Sequence, residues 1–230
     1  MLGRQIDDMS SNHIREQNNT LWNFDVELHD VTSFATDFDL EPLSVISTAH
    51  AWMTRAERLL LYTLTFTLRP RIYLEIGILN GGSALIVCTA MDTLNLSGKI
   101  IGIDPESQID VETLHKLEHR TIIFKAHSPD ILPEARDVAG QPFDLVLIDG
   151  DHSFEGVLRD GQGVLPHCRS GAFILFHDCF FTDVKKGIDD FVLSNPRRLI
   201  DLGPLTREKT VQETPEGKIN WGGLRAVQVR

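Results

Sequence analysis

The feature that most constrains the fold is the segment from Tyr73 to Ser83, with the sequence YLEIGILNGGS. Apolar and β-branched residues at its start predict a strand, and the apolar run after it predicts a helix. Gly77 can take a positive φ angle, so the chain can turn sharply, and Gly81 and Gly82 let the backbone approach a neighbouring group closely. Amides at the start of the helix favour polar or negative groups. The segment predicts a ligand-binding turn between a buried strand and a helix.

The spacing of this segment, E-x-G-x-x-x-G, differs from the G-x-G-x-x-G that cradles a dinucleotide pyrophosphate. An acid two residues before the first glycine would point a carboxylate into the cleft. That carboxylate would repel a pyrophosphate and attract an ammonium group. We therefore expect a cationic, nucleoside-bearing cofactor. Its candidate binding residues in this segment are Glu75, Gly77, Gly81, Gly82 and Ser83.

Length and composition exclude several classes of protein. The 230 residues, 42% of them hydrophobic, fit a tail and cap over residues 1–50 and one domain over residues 51–230. The net charge of -11 argues against a nucleic-acid partner. No apolar run approaches the roughly 18 residues of a membrane span, and the polar start lacks a secretory signal. Three widely spaced cysteines predict a reducing, cytoplasmic compartment.

From residue 54 onward, helical and strand segments alternate. Thr54 and Glu57 form a predicted capping box at the start of the first helix. Apolar strands separated by helices predict a parallel sheet covered on both faces. The last two strands, at 198–202 and 223–229, have only a polar loop between them and predict an antiparallel hairpin at the sheet edge. The predicted fold is a doubly wound, mostly parallel α/β sheet of seven strands. The other predicted strands are 71–76, 99–104, 121–125, 143–149 and 172–177.

An acidic residue ends the second predicted strand. Asp104 follows Ile103 and precedes Pro105. An acid at the tip of that strand is placed to accept hydrogen bonds from both hydroxyls of a ribose. Glu106 could share this role. The alternative interpretation is that Asp104 caps a turn before the proline.

Polar residues also follow the fourth and fifth predicted strands, in the sequences DGDHS and HD. The carboxyl ends of neighbouring parallel strands share one crevice, so these side chains should converge. Carboxylates and imidazoles suit Mg²⁺, Mn²⁺ or a similar ion. The alternative without a metal is that the acids cap strand ends and that the first histidine caps a helix. Asp151 could be a further metal ligand or a solvated helix cap. The four residues expected to converge are Asp149, His152, His177 and Asp178.

Together these motifs resemble the class I S-adenosylmethionine-dependent methyltransferases, over roughly Glu57 to Arg230. The two strand-end motifs are most similar to a metal-dependent branch of small-molecule O-methyltransferases, the macrocin/mycinamicin and cephalosporin-hydroxylase-like group. The resemblance implies Asp149 and Asp178 as metal ligands and His152 as the general base. His177 stands where that group often has an acid, and we assign it as a further ligand.

The resemblance also implies more about the cofactor. The cofactor would be S-adenosyl-L-methionine, with Mg²⁺ or Mn²⁺ beside it. His127 and Ser128, after the third strand, would flank the adenine, although an ordinary loop explains them equally well. Asp149 is assigned to the cofactor site as well as to the metal.

The implied reaction is methyl transfer to a hydroxyl of a small molecule, such as a sugar, a catechol-like ring or a natural product. Two alternatives stay open: a metal-free N- or O-methyltransferase, and a catalytically silent binding subunit of the same fold. The expected partner is a hydroxylated acceptor, with no nucleic acid and no membrane. An apolar helix after a polar tail could also mediate a homo-oligomer. The sequence does not specify the acceptor.

Overall fold

The structure, a computed structural model, describes residues 39–215 and 217–230. The predicted tail and most of the predicted cap lie outside this range. The described chain begins with a 3₁₀ turn and the short helix α1 (Val45–Thr48). Helix α2 (Arg55–Leu68) then starts with the predicted capping box. The Thr54 hydroxyl accepts from the Glu57 amide, and the Glu57 carboxylate accepts from the Thr54 amide.

The described residues form one large sheet and one small one. In the large sheet the strand order is β3-β2-β1-β4-β5-β9-β6, and β9 runs antiparallel to both of its neighbours. This confirms the predicted mostly parallel, seven-stranded sheet with an antiparallel C-terminal pair. The strands of this sheet are β1 (Ile72–Ile76), β2 (Lys99–Ile103), β3 (Thr121–Phe124), β4 (Phe143–Ile148), β5 (Cys168–Phe176), β6 (Leu199–Pro204) and β9 (Arg225–Val229).

Helices cover both faces of the large sheet, as predicted. Every residue of β1 is buried, and successive side chains point to opposite faces. Leu74 belongs to a core shared with α5, α6 and α7, whereas Tyr73 belongs to a core shared with α2 and α3. No helix in the described part of the chain is long and apolar enough to cross a membrane. The remaining helices are α3 (Gly82–Thr93), α4 (Val111–Leu117), α5 (Leu132–Ala139), α6 (Phe154–Val164) and α7 (Thr182–Ser194).

The segment between β6 and β9 departs from the prediction of a polar loop. It contains β7 (Thr210–Thr214) and β8 (Gly217–Trp221), which pair as a separate antiparallel sheet. Most residues of this hairpin are exposed and polar. Because neither strand buries one face in a core, the apolar alternation that identifies a strand in a sequence is absent. The hairpin ends at Trp221, beside the strand ends described next.

Candidate active site

The turn after β1 is built on Gly77. Its φ angle is 91°, as the sequence predicted, and its amide donates to the Ile103 carbonyl at 2.9 Å. A Cβ at this position would lie 2.1 Å from the carbonyl oxygen of Asp149. The glycine is therefore required both by the turn and by the close approach of the end of β4. This contact holds the ends of β1 and β4 together at the carboxyl edge of the sheet.

The close approach at Gly82 comes from the chain itself. A Cβ there would lie 2.2 Å from the carbonyl oxygen of His50, which belongs to the segment before α2. Gly81, at φ 76°, instead faces the side chains of Ile109 and Leu117. The sequence suggested that this glycine pair makes room for a ligand, but in the structure it makes room for protein atoms. Direct contact between either glycine and a cofactor stays a prediction.

Glu75 is not among the residues that line the cleft, so its carboxylate does not point into the cleft as expected, and a cofactor-binding role for it stays a prediction. Its side chain is fully buried and accepts hydrogen bonds from the Tyr73 hydroxyl, at 2.8 Å, and from the Ser83 hydroxyl. Burial raises the pKa of Glu75 to about 7, although both hydroxyls oppose that shift. Each carboxylate oxygen thus accepts from one protein hydroxyl. Ser83, which lines the cleft, connects Glu75 to it.

Asp104 bonds to backbone amides on two sides. One carboxylate oxygen accepts from Leu79 at 2.8 Å and the other from Glu106 at 2.7 Å. The turn interpretation therefore describes its contacts in this structure, and its binding to a ribose stays a prediction. His127 and Ser128 lie in the loop after β3 and are not among the residues that line the cleft around Gly77. Their contact with an adenine also stays a prediction.

The four strand-end residues converge, as the parallel topology predicted. One ligand atom from each lies within 4.8 Å of the others, in Asp149, His152, His177 and Asp178. The His152 Nε2 atom is 2.9 Å from an Asp178 oxygen and 3.5 Å from an Asp149 oxygen. The His177 Nδ1 atom is 2.8 Å from the same Asp149 oxygen. We call these four residues the strand-end cluster.

Charges in the strand-end cluster are strongly coupled. Hydrogen bonds that His152 donates to Asp149 and Asp178 raise the pKa of His152 to about 9, although burial opposes that shift. Burial also works against the charged form of His177, but the surrounding carboxylates hold its pKa well above the ordinary value. The two imidazoles in turn keep the pKa values of Asp149 and Asp178 low despite burial. Two acids and two bases therefore share one small volume.

Carboxylate oxygens and imidazole nitrogens at this separation fit a divalent ion. Carboxylate oxygens suit Mg²⁺ and Mn²⁺, and imidazole suits other first-row metals such as iron or zinc. The residues that would hold such an ion are Asp149, Asp178 and one or both histidines. In the structure their polar atoms are paired with one another. These residues could therefore hold a metal ion, and in its absence their polar atoms form hydrogen bonds with one another.

Three neighbours of the strand-end cluster were not assigned to the site from the sequence. Glu57, predicted only as a helix cap, lies 3.3 Å from the Nε2 atom of His177. The Trp221 ring meets the His152 ring edge-on at 5.6 Å and stacks on Phe181 at 4.7 Å. Glu57 comes from α2, Trp221 from the end of the hairpin and Phe181 from the turn before α7. No local spacing could identify Glu57 or Trp221, because only the fold brings them to the strand ends.

The cleft beside the strand-end cluster has a volume of about 220 Å³. Its walls are the segment 50–52, most of the turn 77–83 and the four residues of the cluster. Trp52 is 77% exposed on this rim. The glycine turn and the cluster, which the sequence predicted separately, thus face a single opening.

Comparison with known proteins identifies the fold. Residues 74–179 match a family model described as a methyltransferase domain. The O-methyltransferase TomG from Streptomyces achromogenes, solved with S-adenosylmethionine, has a TM-score of 0.60 at 19% identity, over 84% of this chain and 91% of that one. An O-methyltransferase from Bacillus cereus, solved with S-adenosylhomocysteine, has a TM-score of 0.58 at 19% identity, over 82% and 89%.

Residues 74–179 are therefore similar to a methyltransferase domain, and the chain has the fold of the class I S-adenosylmethionine-dependent methyltransferases. Among curated proteins, it is similar to the uncharacterised protein R132 of Acanthamoeba polyphaga mimivirus, with 28% identity over 125 residues. That match covers 50% of this chain and 54% of R132, about half of the relative's length.

Proposed function

We propose that this protein transfers the methyl group of S-adenosylmethionine to a hydroxyl of a small molecule, with a divalent cation at the strand-end cluster. The observation that carries the proposal is the convergence of Asp149, His152 and Asp178 beside the Gly77 turn of a methyltransferase domain. Two proteins of similar fold were solved with S-adenosylmethionine or S-adenosylhomocysteine, which supports that cofactor.

The cofactor supplies a reactive sulfonium methyl, so the protein must align it with the acceptor oxygen. The Gly77 turn and Ser83 form the wall of the cleft that would receive it. Asp104 fixes this turn by accepting from the Leu79 amide, and each carboxylate oxygen keeps a lone pair for a ribose hydroxyl. In this proposal the turn positions the cofactor, and the strand-end cluster activates the acceptor.

His152 is the proposed general base. It is half-buried, and its Nε2 atom faces the two carboxylates of the cluster. With a pKa raised to about 9 it is protonated at neutral pH. It can accept a proton from the acceptor only when Asp149 and Asp178 are otherwise engaged, as they would be with a metal ion. When bound, such an ion supplies positive charge that lowers the pKa of a hydroxyl.

A groove beside the hairpin is the proposed region for the rest of the acceptor. It has a volume of about 560 Å³, and Phe180, two residues after Asp178, forms part of its wall. Donor groups of Thr206, Arg207, Lys209 and Asn220 line it, and no acidic side chain does so in the described part of the chain. This lining favours a hydroxylated acceptor that also carries an anionic group. Sugars, catechol-like rings and natural products remain the proposed classes.

Metal-free methyl transfer is a second candidate, and one observation favours it. Both nitrogens of His177 lie within hydrogen-bonding distance of carboxylates, from Asp149 and Glu57. A protonated His177 would therefore balance part of the negative charge that a metal would otherwise neutralise. In that case His177 would engage Asp149 and Asp178 in place of an ion and leave His152 to act as the base. An oligomeric assembly and a cytoplasmic location stay predictions.

Titration calorimetry and a turnover assay would test the proposed function together. We expect S-adenosylhomocysteine to bind with a dissociation constant in the micromolar range, about -8 kcal/mol, and NAD to bind much more weakly. Methyl transfer to at least one member of a panel of sugars, catechols and hydroxylated natural products should follow. Equal binding of NAD would refute the cofactor. Tight cofactor binding without turnover would instead support a silent binding subunit.

A further inference from the structure

The carboxylate of Glu57 makes more contacts than a helix cap requires. Glu57 lies in the first turn of α2, and its side chain is fully buried. One oxygen accepts from the Thr54 amide at 2.6 Å and also faces the His177 Nε2 atom at 3.3 Å. The other accepts from the Gly223 amide. Only the first contact belongs to the capping box, so the other two need a separate explanation.

The contact with His177 determines which imidazole nitrogen carries hydrogen. An ionised carboxylate only accepts hydrogen bonds, so the Nε2 atom facing Glu57 must be the N–H donor. The Nδ1 atom is then directed to Asp149, at 2.8 Å, and Asp178, at 3.3 Å. Histidines that bind metals usually donate their other N–H to a carboxylate or carbonyl in this way. The same ring orientation also suits a protonated His177, in which Nε2 donates to Glu57 and Nδ1 donates to Asp149.

The contact with Gly223 fixes the turn between β8 and β9. Asp178 accepts from the Gly222 amide and Glu57 from the next amide, so two adjacent amides are each bound by one carboxylate. A Cβ at Gly222 would lie 3.1 Å from the Glu57 carboxylate. The residue before this turn is Trp221, whose ring meets His152. Through this turn Glu57 also fixes the residue that borders the proposed base.

We propose that Glu57 is a positioning residue of the active site. It holds His177 with hydrogen on Nε2 and holds the Gly222–Gly223 turn, so that Asp149, Asp178 and His152 keep their relative positions. Its effect on catalysis rests on the proposed methyl transfer. Its effect on His177 is a property of the folded protein and can be measured without turnover.

The variant Glu57→Gln, with Thr54→Ala as its matched control, separates positioning from helix capping. Glutamine has nearly the same size but only one acceptor oxygen, so it cannot accept from all three donors. Thr54→Ala removes the hydroxyl that caps the same helix and leaves the carboxylate in place. Both variants weaken the start of α2. Only Glu57→Gln alters the contact with His177.

Nitrogen-15 NMR of the histidine rings gives the decisive measurement. In the wild type and in Thr54→Ala, we expect a slowly exchanging Nε2–H signal from His177, since this ring is only 4% exposed. Glu57→Gln should shift or lose that signal and lower kcat at least tenfold, with S-adenosylhomocysteine affinity within twofold of the wild type. Thr54→Ala should keep kcat within twofold.

Several results would overturn the proposal. Identical His177 spectra in the wild type and in a folded Glu57→Gln variant would do so, and so would equal kcat values for the two variants. If Glu57→Gln does not fold, the wild-type spectrum still decides, because absence of a protected Nε2–H signal contradicts the assignment. If no acceptor is methylated, the proposed function fails, and the spectra alone test the positioning.

Discussion

At the scale of single residues, the strand-end cluster is defined by charges that the sheet forces together. The acids follow β4 and β5, and each histidine lies within three residues of one of them. His152 gains its high pKa from Asp149 and Asp178, and those acids are kept ionised by the two imidazoles. Removal of any one member therefore leaves a buried charge without its partner. Single substitutions here should have large effects on activity.

Replacing His152 tests the proposed base. His152→Ala should lower kcat by about a hundredfold or more, since general-base catalysis typically contributes that much. Steady-state kinetics and calorimetry should show nearly unchanged cofactor affinity. His115→Ala is a suitable control, because His115 is an exposed residue of α4 whose one ion-pair partner among the described residues is Glu118. A near-normal kcat in His152→Ala would show that His152 is not the general base.

Replacing Asp104 tests the predicted ribose contact. Asp104→Ala should weaken S-adenosylhomocysteine binding at least tenfold, because it removes both the ribose acceptor and the bond that fixes the Leu79 amide. Calorimetry would measure the change. Asp110→Ala is the matched control: Asp110 also accepts from a backbone amide, at the start of α4, but is exposed. Equal affinities for the two variants would contradict a cofactor role for Asp104.

Glu75 should give the protein a measurable pH dependence of stability. Its pKa is raised from 4.5 to about 7 in the folded protein. Below pH 4.5 both states are protonated. Between pH 4.5 and 7 the unfolded chain has lost this proton while the folded protein still holds it. The free energy of unfolding therefore falls as the pH rises, by about 3 kcal/mol over the whole range. Relative to Glu75→Gln, the wild type should lose that amount between pH 4 and pH 8 in urea unfolding. If the free energy of unfolding depended on pH in the same way in the wild type and in Glu75→Gln, the raised pKa of Glu75 would be contradicted.

At the scale of elements, the sequence predicts what the buried strands and helices do and misses what polar segments do. Apolar runs identify β1, β4 and β5 because both sheet faces are covered, and the topology then implies that Asp149 and Asp178 meet. The hairpin β7–β8 carries no such pattern, since its residues are mostly exposed. The contacts of Glu57 with His177 and of His50 with Gly82 join distant segments. No single-sequence pattern encodes them.

The groove beside the hairpin should favour anionic acceptors. Arg207 and Lys209 have no ion-pair partner in the described part of the chain, and Glu208 between them is held by Arg55. The double variant Arg207→Gln with Lys209→Gln should raise KM for a catechol carboxylate about tenfold and change KM for its methyl ester little. Lys218→Gln, on the exposed part of β8, is the control. Equal KM values for acid and ester in the wild type would exclude this role.

At the scale of the whole molecule, a bound ion should stabilise the fold, because it binds only when β4 and β5 bring the acids together. Mg²⁺ or Mn²⁺ at 100 times its dissociation constant would add about 2.7 kcal/mol. A rise in Tm with Mg²⁺, lost in Asp149→Asn, is the expected result. Asp92→Asn is the control: Asp92, Cys88 and His119 form a second group that could hold an ion, and the rise in Tm should persist when Asp92 is replaced.

Chelation should complete that test. EDTA should abolish turnover and leave the affinity for S-adenosylhomocysteine nearly unchanged, and added Mg²⁺ or Mn²⁺ should restore turnover. Full activity in EDTA, with no change of Tm in Mg²⁺, would favour metal-free transfer. His177 would then be the internal cation of the cluster.

The contact between Gly82 and His50 has a consequence for comparing this chain with other sequences. Any side chain at position 82 would collide with the His50 backbone, which lies 2.2 Å from the position of a Cβ. In a related protein, a larger residue at this position would therefore indicate that the segment before α2 follows another path. The residue type at this one position therefore indicates how a segment more than thirty residues earlier in the chain is folded.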